Sequence, residues 1–366
     1  MSETGVPSVD PARQRAPTAD AGPLFAALDL GTNNCRLLIA TPHVRGFRIV
    51  DAFSRIVRLG EGVSQSGRLG EEAMARAIGA LRICADKIRR RGVTRVRAVA
   101  TQACRGAENG PEFIATISRE TGLRFEVISP REEARLAVAG CLDLLDLQAK
   151  AALVLDVGGG STEMSWIDLS QPGLRVAPRR MAHWRLPIKA WHSAPMGVVT
   201  LAERFPEATQ GDEFHYRRMV DAVKAELAVF SGAASFQPTF LAGDGHIVGT
   251  SGAITSLASL HLGLPRYDRA QVDGLWMTRT ECETAASRLA ALSIAERAAE
   301  PCIGPDRADL VLAGAAILHA VQDLWPSQRV RVADRGLREG LLLSLMSAAR
   351  PGRLRRRRGG RKGRVE

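Results

Sequence analysis

Residues 153–164, LVLDVGGGSTEM, combine an apolar run ending in Asp156, a turn of three glycines and a second largely apolar run. This pattern predicts a strand, a tight turn and a second strand. Residues 28–34, LDLGTNN, repeat the arrangement, because Asp29 also lies near the end of an apolar run and is followed closely by Gly and Thr. The sequence therefore predicts two similar units with a cleft between them.

The segments around both motifs predict an α/β protein, because short apolar runs alternate with longer amphipathic ones. We expect a first domain over residues 24–130 and a second over residues 131–348. The strands expected in the first domain are 24–30, 36–41, 47–53, 96–101 and 125–129, and its helices are 71–92 and 111–122. Further helices are expected at about 130–145, 196–205, 213–231 and 335–346.

Both ends of the chain differ from the domains in composition. Residues 1–23 are rich in Pro, Ala, Ser and Thr without periodicity, which predicts a disordered leader. Residues 351–366 hold eight Arg or Lys and one Glu, so about +7 of the net charge of +11 lies there. We expect residues 349–366 to form a disordered basic tail. The tail is either a solvated segment or RNA tether, or a segment that captures a polyanionic substrate.

Membrane insertion and export are not expected from the sequence. Residues 1–23 lack an apolar signal-peptide core, and no run of about 18 apolar residues occurs. The six cysteines form no CxxC pair and no Cys/His cluster with zinc-ligand spacing. These features indicate a reduced, cytoplasmic protein.

The second motif has the chemistry of a phosphate-binding loop. Glycine turns let backbone N–H groups approach a phosphate without obstruction by Cβ, and hydroxyl groups add donors. The candidates for phosphate binding in this loop are Gly158, Gly159, Gly160, Ser161 and Thr162. Asp156 and Glu163 beside an anion favour a cation such as Mg²⁺ between them, or a carboxylate that positions water. The alternative is a tight hairpin whose glycines only permit positive φ.

The first motif offers matching donors, and two further segments add candidates. The first-loop candidates for phosphate binding are Gly31, Thr32, Asn33, Asn34 and Arg36, with an ordinary turn as the alternative. Arg105 follows a predicted strand and suits bidentate phosphate contact, although an Arg at such a place is commonly solvated. Gly252, in the loop 249–255, opens a predicted helix that could bind another phosphate or a nucleoside, or could simply pack.

A predicted helix begins at Ser129 with the form of a capping box, in which Glu132 occupies the third helical position. Its neighbour Glu133 lies roughly 100° around the helix and has no capping duty. Glu133 is therefore a candidate general base, with an ordinary first-turn Glu as the alternative.

Together these segments resemble the exopolyphosphatase and guanosine pentaphosphate phosphohydrolase family, a branch of the actin, Hsp70 and sugar-kinase superfamily. The resemblance extends over residues 24–348. Its blocks are ALDLGTNNCRLLIA (27–40), VATQACRGAENGPEFI (99–114), EVISPREEARLAVAG (126–140), LVLDVGGGSTEMSW (153–166), APMGVVTLAERF (194–205), GTSGAITSLASL (249–260) and DRGLREGLLLSLM (334–346).

The resemblance implies two ribonuclease-H-like, actin-like ATPase domains with a phosphate-binding cleft between them. It implies that Glu133 is the catalytic base and that Arg105 binds phosphate. It also implies that Asp29, Asp156 and Glu163 lie at positions tied to metal and water, with Mg²⁺ as cofactor. The implied substrates are inorganic polyphosphate or guanosine penta- and tetraphosphates, and the implied assembly is a homodimer.

The sequence departs from the family pattern in two ways, and each changes the expected binding of substrate. Asn34 stands where family members usually carry Ser, so one hydroxyl contact becomes an amide contact. The sequence after residue 350 predicts no helical C-terminal domain, so processive action on long polyphosphate is not expected. A kinase that uses ATP and a non-catalytic alarmone or polyphosphate sensor are the rival functions, and the EEAR block with Glu133 favours water as acceptor.

Overall fold

A computed structural model of the protein describes residues 22–44, 46–170, 187–207 and 213–349. The expected leader up to residue 21 and the expected basic tail from residue 350 lie outside the described residues.

The described strands form two sheets, one of five strands and one of six. The first sheet contains β1 Phe25–Leu30, β2 Asn34–His43, β3 Gly46–Ile56, β4 Arg95–Ala100 and β5 Phe125–Val127. The second contains β6 Ala151–Val157, β7 Thr162–Asp168, β8 Ile188–Ala194, β9 Gly245–Thr250, β10 Trp276–Thr278 and β11 Arg329–Ala333.

Helices connect and cover the strands. Those up to residue 141 are α1 Val63–Ser66, α2 Glu71–Arg90, α3 Gln102–Gly106, α4 Gly110–Thr121 and α5 Pro130–Cys141. Those after it are α6 Val198–Arg204, α7 Glu213–Ala228, α8 Gln237–Leu241, α9 Gly252–His261, α10 Arg269–Val272, α11 Arg279–Ala291, α12 Ile294–Ala299, α13 Val311–Leu324 and α14 Leu337–Ala349.

The two sheets share one topology. The first has the order β3-β2-β1-β4-β5, and the second contains β8-β7-β6-β9-β11 with β10 added at its edge. In each, the first three strands are antiparallel, and the fourth pairs parallel to the first. The prediction of two similar ribonuclease-H-like α/β units is therefore confirmed.

The shared topology puts chemically active residues at equivalent places. Asp29 of β1 is paired with Arg36 of β2, and Asp156 of β6 is paired with Glu163 of β7. Both aspartates lie near the carboxyl end of a central strand, next to the turn that follows. Ligands of open α/β sheets bind at such strand ends.

The position of β6 in the sheet explains why Ala151–Val157 is almost continuously apolar. It lies between β7 and β9, and six of its seven residues are buried. A central strand covered on both faces needs apolar side chains on both, so simple alternation of apolar and polar residues is not expected. The polar exception is Asp156, which faces the site.

The N-terminus of α5 confirms half of the expected capping box. The Ser129 hydroxyl accepts a hydrogen bond from the Glu132 N–H at 3.2 Å, and Pro130 occupies the first turn. The prediction for the Glu132 side chain was wrong, because its carboxylate pairs with Arg135 at 2.7 Å and Arg97 at 3.4 Å. Two nearby guanidinium groups give this carboxylate stronger partners than one backbone N–H.

The closing helix α14 returns to the first sheet. Leu341, Leu342 and Met346 are buried in one cluster with Phe25 of β1. Helices α5 and α14 pack closely, since a Cβ on Gly340 would lie 2.1 Å from the Leu136 carbonyl oxygen. The chain thus passes between the two units at both α5 and α14.

Two observations concern the setting of the protein. All six cysteines are buried and free. Across the described ranges, no helix is both long and apolar enough to cross a membrane.

Candidate active site

A cavity that is open to solvent lies between the two units. Both glycine loops form its walls. The sequence-predicted residues that line it are Asp29, Gly31, Thr32, Asn33, Asn34, Arg36, Glu133, Asp156, Gly158, Gly159, Gly160, Ser161 and Gly252. The structure thus brings residues from distant parts of the sequence to one site. Arg105, Thr162 and Glu163 do not line this cavity.

The two loops have the same local geometry. The Gly31 N–H donates to the Asn34 carbonyl at 2.9 Å, and the Gly158 N–H donates to the Ser161 carbonyl, also at 2.9 Å. In each loop the bond runs from the N–H of the first residue to the carbonyl of the fourth, which is the sense of an antiparallel ladder bond closing a hairpin and the reverse of a β-turn bond. The repeat seen in the sequence therefore extends to the backbone of the site.

Glycines in the second loop allow the loops to touch. A Cβ on Gly159 would lie 2.9 Å from Thr32 Cβ, and one on Gly160 would lie 2.8 Å from Thr32 Oγ1. None of the three loop glycines has a positive φ. The hairpin alternative, in which glycine serves only to permit positive φ, is therefore wrong, and close approach is the reason for glycine here.

Two aspartates face each other across the loops. The Asp29 Oδ1 atom is buried without a hydrogen-bond partner, and burial raises the pKa of this carboxyl. Burial, and then repulsion from Asp29, raise the pKa of Asp156 to about 6. Two partly buried carboxylates that repel each other favour a proton or a cation nearby.

Glu163 and Thr162 follow the second loop on β7. The Ser193 hydroxyl donates to Glu163 Oε1 at 2.8 Å, and burial followed by the Asp156 charge raises the pKa of Glu163 to about 7. The Thr162 hydroxyl donates to the Met196 carbonyl at 2.7 Å, so it is committed to the protein backbone. Glu163 thus acts on the site through its charge, since it does not line the cavity.

Glu133 is the buried carboxylate of α5 and is only 7% exposed. Burial is the main cause of a pKa well above its ordinary value, and the Glu163 charge adds to it. Arg105 opposes this effect through an ion pair of 3.0 Å. A carboxylate with a raised pKa beside a phosphate site is suited to accept a proton near neutral pH.

The Arg105 guanidinium is held by protein groups. It donates to the Ile128 carbonyl at 2.7 Å and to Gln102 Oε1 at 2.7 Å, in addition to Glu133. These contacts orient Arg105 towards the Glu133 carboxylate. Arg105 in this arrangement fixes the position of Glu133.

Three arginines form the basic side of the cavity. Arg36, Arg307 and Arg338 line it, and within the described ranges none has a carboxylate within ion-pair distance. Burial and repulsion from Arg338 lower the pKa of Arg36. Guanidinium groups without a carboxylate partner are suited to bind phosphate oxygens.

Gly252 lies next to these arginines at the N-terminus of α9. A Cβ at Gly252 would lie 3.6 Å from Arg36 Nη2 and 3.9 Å from Arg307 Cζ. The preceding Ser251 has a φ of 113°, and its buried Oγ has no partner. A helix N-terminus beside two guanidinium groups favours an anion.

Sequence reasoning missed Arg307, Arg338 and Glu339. Arg338 and Glu339 belong to the block at 334–346, but no local pattern assigns them to the cavity. Glu339 is 5% exposed and accepts a hydrogen bond from the Gly336 N–H at 2.9 Å. Its charge contributes to the raised pKa values of Asp29 and Asp156. The cavity therefore has an acidic side and a basic side.

Known proteins are similar to this chain in sequence and in fold. The chain is 31% identical over 340 residues to exopolyphosphatase 2 of Mycobacterium tuberculosis, covering 87% of this chain and 98% of that protein. It is 28% identical over 325 residues to a guanosine-5'-triphosphate,3'-diphosphate pyrophosphatase of Aeromonas salmonicida, covering 88% of this chain and 60% of that protein.

Solved structures agree with these relatives. A Ppx/GppA family member of Aquifex aeolicus has a TM-score of 0.71 at 29% identity, covering 90% of this chain and 99% of that one. An exopolyphosphatase-like protein has a TM-score of 0.77 at 27% identity, covering 89% and 98%. Residues 38–349 match the Ppx/GppA phosphatase family. With this match and the shared fold, the chain belongs to the Ppx/GppA phosphatase family.

Proposed function

We propose that this protein is a phosphohydrolase that removes the terminal phosphate of inorganic polyphosphate, of guanosine pentaphosphate, or of both. The observation that carries the proposal is Glu133, a buried carboxylate with a raised pKa, in a cavity between two glycine loops. The names of the exopolyphosphatase and pyrophosphatase relatives support the same class of reaction.

The substrate's phosphates would be bound by both sides of the cavity. Backbone N–H groups of the glycine loops, with the Thr32 and Ser161 hydroxyls, would hold the terminal phosphoryl group. Arg36, Arg307 and Arg338 would neutralise the phosphates that remain after cleavage. An arrangement fixed before the substrate arrives stabilises the charge of the transition state without further reorganisation.

Glu133 would act as general base. Its carboxylate accepts a proton from the attacking water, whose oxygen forms a bond to the terminal phosphorus as the bridging P–O bond breaks. The shortened phosphate chain leaves with the electrons of the broken bond, and no covalent enzyme intermediate is required. Arg105 would hold the Glu133 carboxylate in place for this transfer.

A divalent cation fits the acidic side of the cavity, and we infer that it is Mg²⁺. Asp29 and Asp156 would hold it, and the buried Oδ1 atom of Asp29 has no hydrogen-bond partner. Glu163 does not line the cavity and would contribute only its negative charge. In the described part of the chain, no group of three His, Cys, Asp or Glu residues could hold a metal ion. Mg²⁺ suits such a site, since it is commonly held by one or two carboxylates with substrate phosphates and water. When bound, it offsets negative charge on the phosphates.

The choice of substrate rests on length as well as chemistry. The chain covers 98% of the exopolyphosphatase relative but 60% of the pyrophosphatase relative. Inorganic polyphosphate of short or moderate length is therefore the first substrate to test. A cytoplasmic location, supported by six free cysteines, a homodimer and RNA contact through the basic tail remain predictions.

The proposal is tested by phosphate release from short polyphosphate, long polyphosphate, pppGpp, ATP and GTP in the presence of Mg²⁺. We expect release from polyphosphate or pppGpp at a kcat/KM at least tenfold above that for ATP. Preference for ATP with transfer to an added acceptor would indicate a kinase. Tight binding of pppGpp or polyphosphate without release would indicate a sensor, and either result would overturn the proposal.

A further inference from the structure

The segment Val57–Ser64, here called the bridge segment, holds the first phosphate loop. The N–H groups of Val57 and Arg58 donate to the Asn33 carbonyl at 2.9 and 3.0 Å. The Gly60 N–H donates to the Thr32 carbonyl at 2.8 Å. Two carbonyls of the phosphate loop are therefore fixed by the bridge segment, and a shift of the segment moves the loop.

Arg58 connects the bridge segment to the second unit. Its guanidinium makes a bidentate contact with Asp309, with Nη1 to Oδ2 at 2.7 Å and Nη2 to Oδ1 at 3.0 Å. Asp309 lies two residues after Arg307, which lines the cavity. The same contact therefore reaches the basic side of the site.

The backbone at Arg58 is unusual. Its φ is 47°, and among the described residues Ser251 is the only other non-glycine residue with a positive φ. The left-handed conformation is unfavourable for an L-amino acid with a Cβ, so surrounding contacts must maintain it. Both side chains of the Arg58–Asp309 pair are about one-third exposed, and an ion pair at such a place adds little to stability. A role in fixing geometry explains this arrangement better than a role in stability.

A second contact joins the bridge segment to α6. Glu203 of α6 accepts hydrogen bonds from the Gly62 N–H at 2.8 Å and from the Ser64 hydroxyl at 2.5 Å. The first turn of α6 in turn holds the second phosphate loop. The Val198 N–H donates to the Gly158 carbonyl at 2.9 Å, and the Val199 N–H donates to the Gly159 carbonyl at 2.8 Å.

We propose that the bridge segment is a clamp that sets the distance between the two phosphate loops, with Arg58 as the positioning residue for phosphate hydrolysis. Each phosphate loop is hydrogen-bonded to one partner of the clamp, the first to the bridge segment and the second to α6. Loss of the Arg58–Asp309 contact should let the two units separate and enlarge the cavity. The part of this proposal that concerns hydrolysis rests on the proposed function.

The distance between the units can be measured without any activity. Spin labels on cysteines introduced at Glu72 and Ser287, both exposed and one on each unit, report this distance by pulsed electron paramagnetic resonance. All native cysteines are buried, so labelling at the introduced sites is favoured. We expect Arg58→Ala to lengthen or broaden the distance distribution in the substrate-free protein, and Arg58→Lys to do so less.

Kinetics on short polyphosphate complete the test. We expect Arg58→Ala to raise KM about three- to tenfold and to change kcat less, because the separated loops close again around bound substrate. Asp309→Ala should have the same effect, and the double variant should be no worse than either single variant. The matched control is Arg82→Ala, which breaks the 2.7 Å pair with Glu120 inside the first unit and should change neither quantity.

Three outcomes would distinguish failure of the clamp from failure of the proposed function. Unchanged distances and unchanged KM in Arg58→Ala would overturn the clamp. Additive effects of Arg58→Ala and Asp309→Ala on KM would also overturn it, since two partners of one contact cannot act independently. If the wild-type protein releases no phosphate from any substrate, the proposed function fails, and the distance measurement alone then confirms or overturns the clamp.

Discussion

The substitution Glu133→Gln separates catalysis from stability. The amide has nearly the same shape as the carboxylate. In the wild type, Arg105 Nη1 donates to Glu133 Oε2 at 3.0 Å, and the amide oxygen can still accept this hydrogen bond. The amide cannot accept a proton from water. Removal of a general base lowers kcat by about 10²- to 10⁴-fold, which corresponds to about 3 to 5 kcal/mol in the barrier.

Glu133→Gln should lower turnover without lowering the stability of the folded protein. The pKa of Glu133 is raised in the folded protein, so the folded state favours the neutral side chain. For such a carboxyl, the stabilising contribution is complete below the unfolded pKa and is lost as pH rises through the folded pKa. Near neutral pH the neutral amide avoids this loss. We therefore expect Glu133→Gln to have an equal or higher Tm than the wild type.

Three assays check this prediction: phosphate release for kcat, calorimetric titration for substrate binding, and thermal melting. The neighbouring Glu132→Gln is the control, because Glu132 lies outside the cavity and pairs with Arg135. It should leave kcat within about twofold, since it touches no reacting group. A turnover of Glu133→Gln close to the wild-type value would refute the general-base role. A fall in Tm with loss of binding would show that Glu133 is mainly structural.

Three further predictions follow from the charges of the site and the tail. Excess EDTA should abolish turnover and Asp156→Ala should raise the cation concentration needed for half-maximal activity, and full activity in EDTA would contradict the metal site. Burial raises the pKa of Glu163 from 4.5 to about 7, so the stability of the metal-free protein should fall as pH rises from about 4.5 to about 7. Thermal melting across this range should show a smaller fall for Glu163→Gln, and identical profiles would contradict the assignment. Removal of residues 351–366 should leave kcat on short polyphosphate unchanged. If the tail captures substrate, KM for long polyphosphate should rise and its salt dependence should weaken, while unchanged long-chain kinetics at low salt would reject capture.

Local patterns in the sequence predicted the parts of the site that depend on neighbouring residues. The strand and glycine turn at Asp156 and at Asp29 follow from runs of a few residues, and so does the Ser129 cap of α5. Their equivalent positions in the two sheets follow from the internal repeat. Glu133 could be separated from Glu132 because adjacent residues on a helix face different directions.

Local sequence patterns could not predict contacts between distant segments. Arg307 precedes α13 and Arg338 lies in the first turn of α14, and tertiary packing brings both to the cavity although no local motif marks either residue. The contact between Arg105 and Glu133 joins residues 28 positions apart and depends on how α3 and α5 meet. Glu132 fits a capping box by spacing, but Arg97 from β4 competes for it in three dimensions. These features depend on tertiary packing, which the order of residues along one segment does not specify.

The central claim is that water attacks the terminal phosphorus of a bound polyphosphate chain. The most direct test is hydrolysis of short polyphosphate or pppGpp in oxygen-18-labelled water, with mass spectrometry of both products. We predict that the label appears in the released orthophosphate and is absent from the shortened chain. Label in the shortened chain, or no labelled orthophosphate from either substrate, would contradict this account.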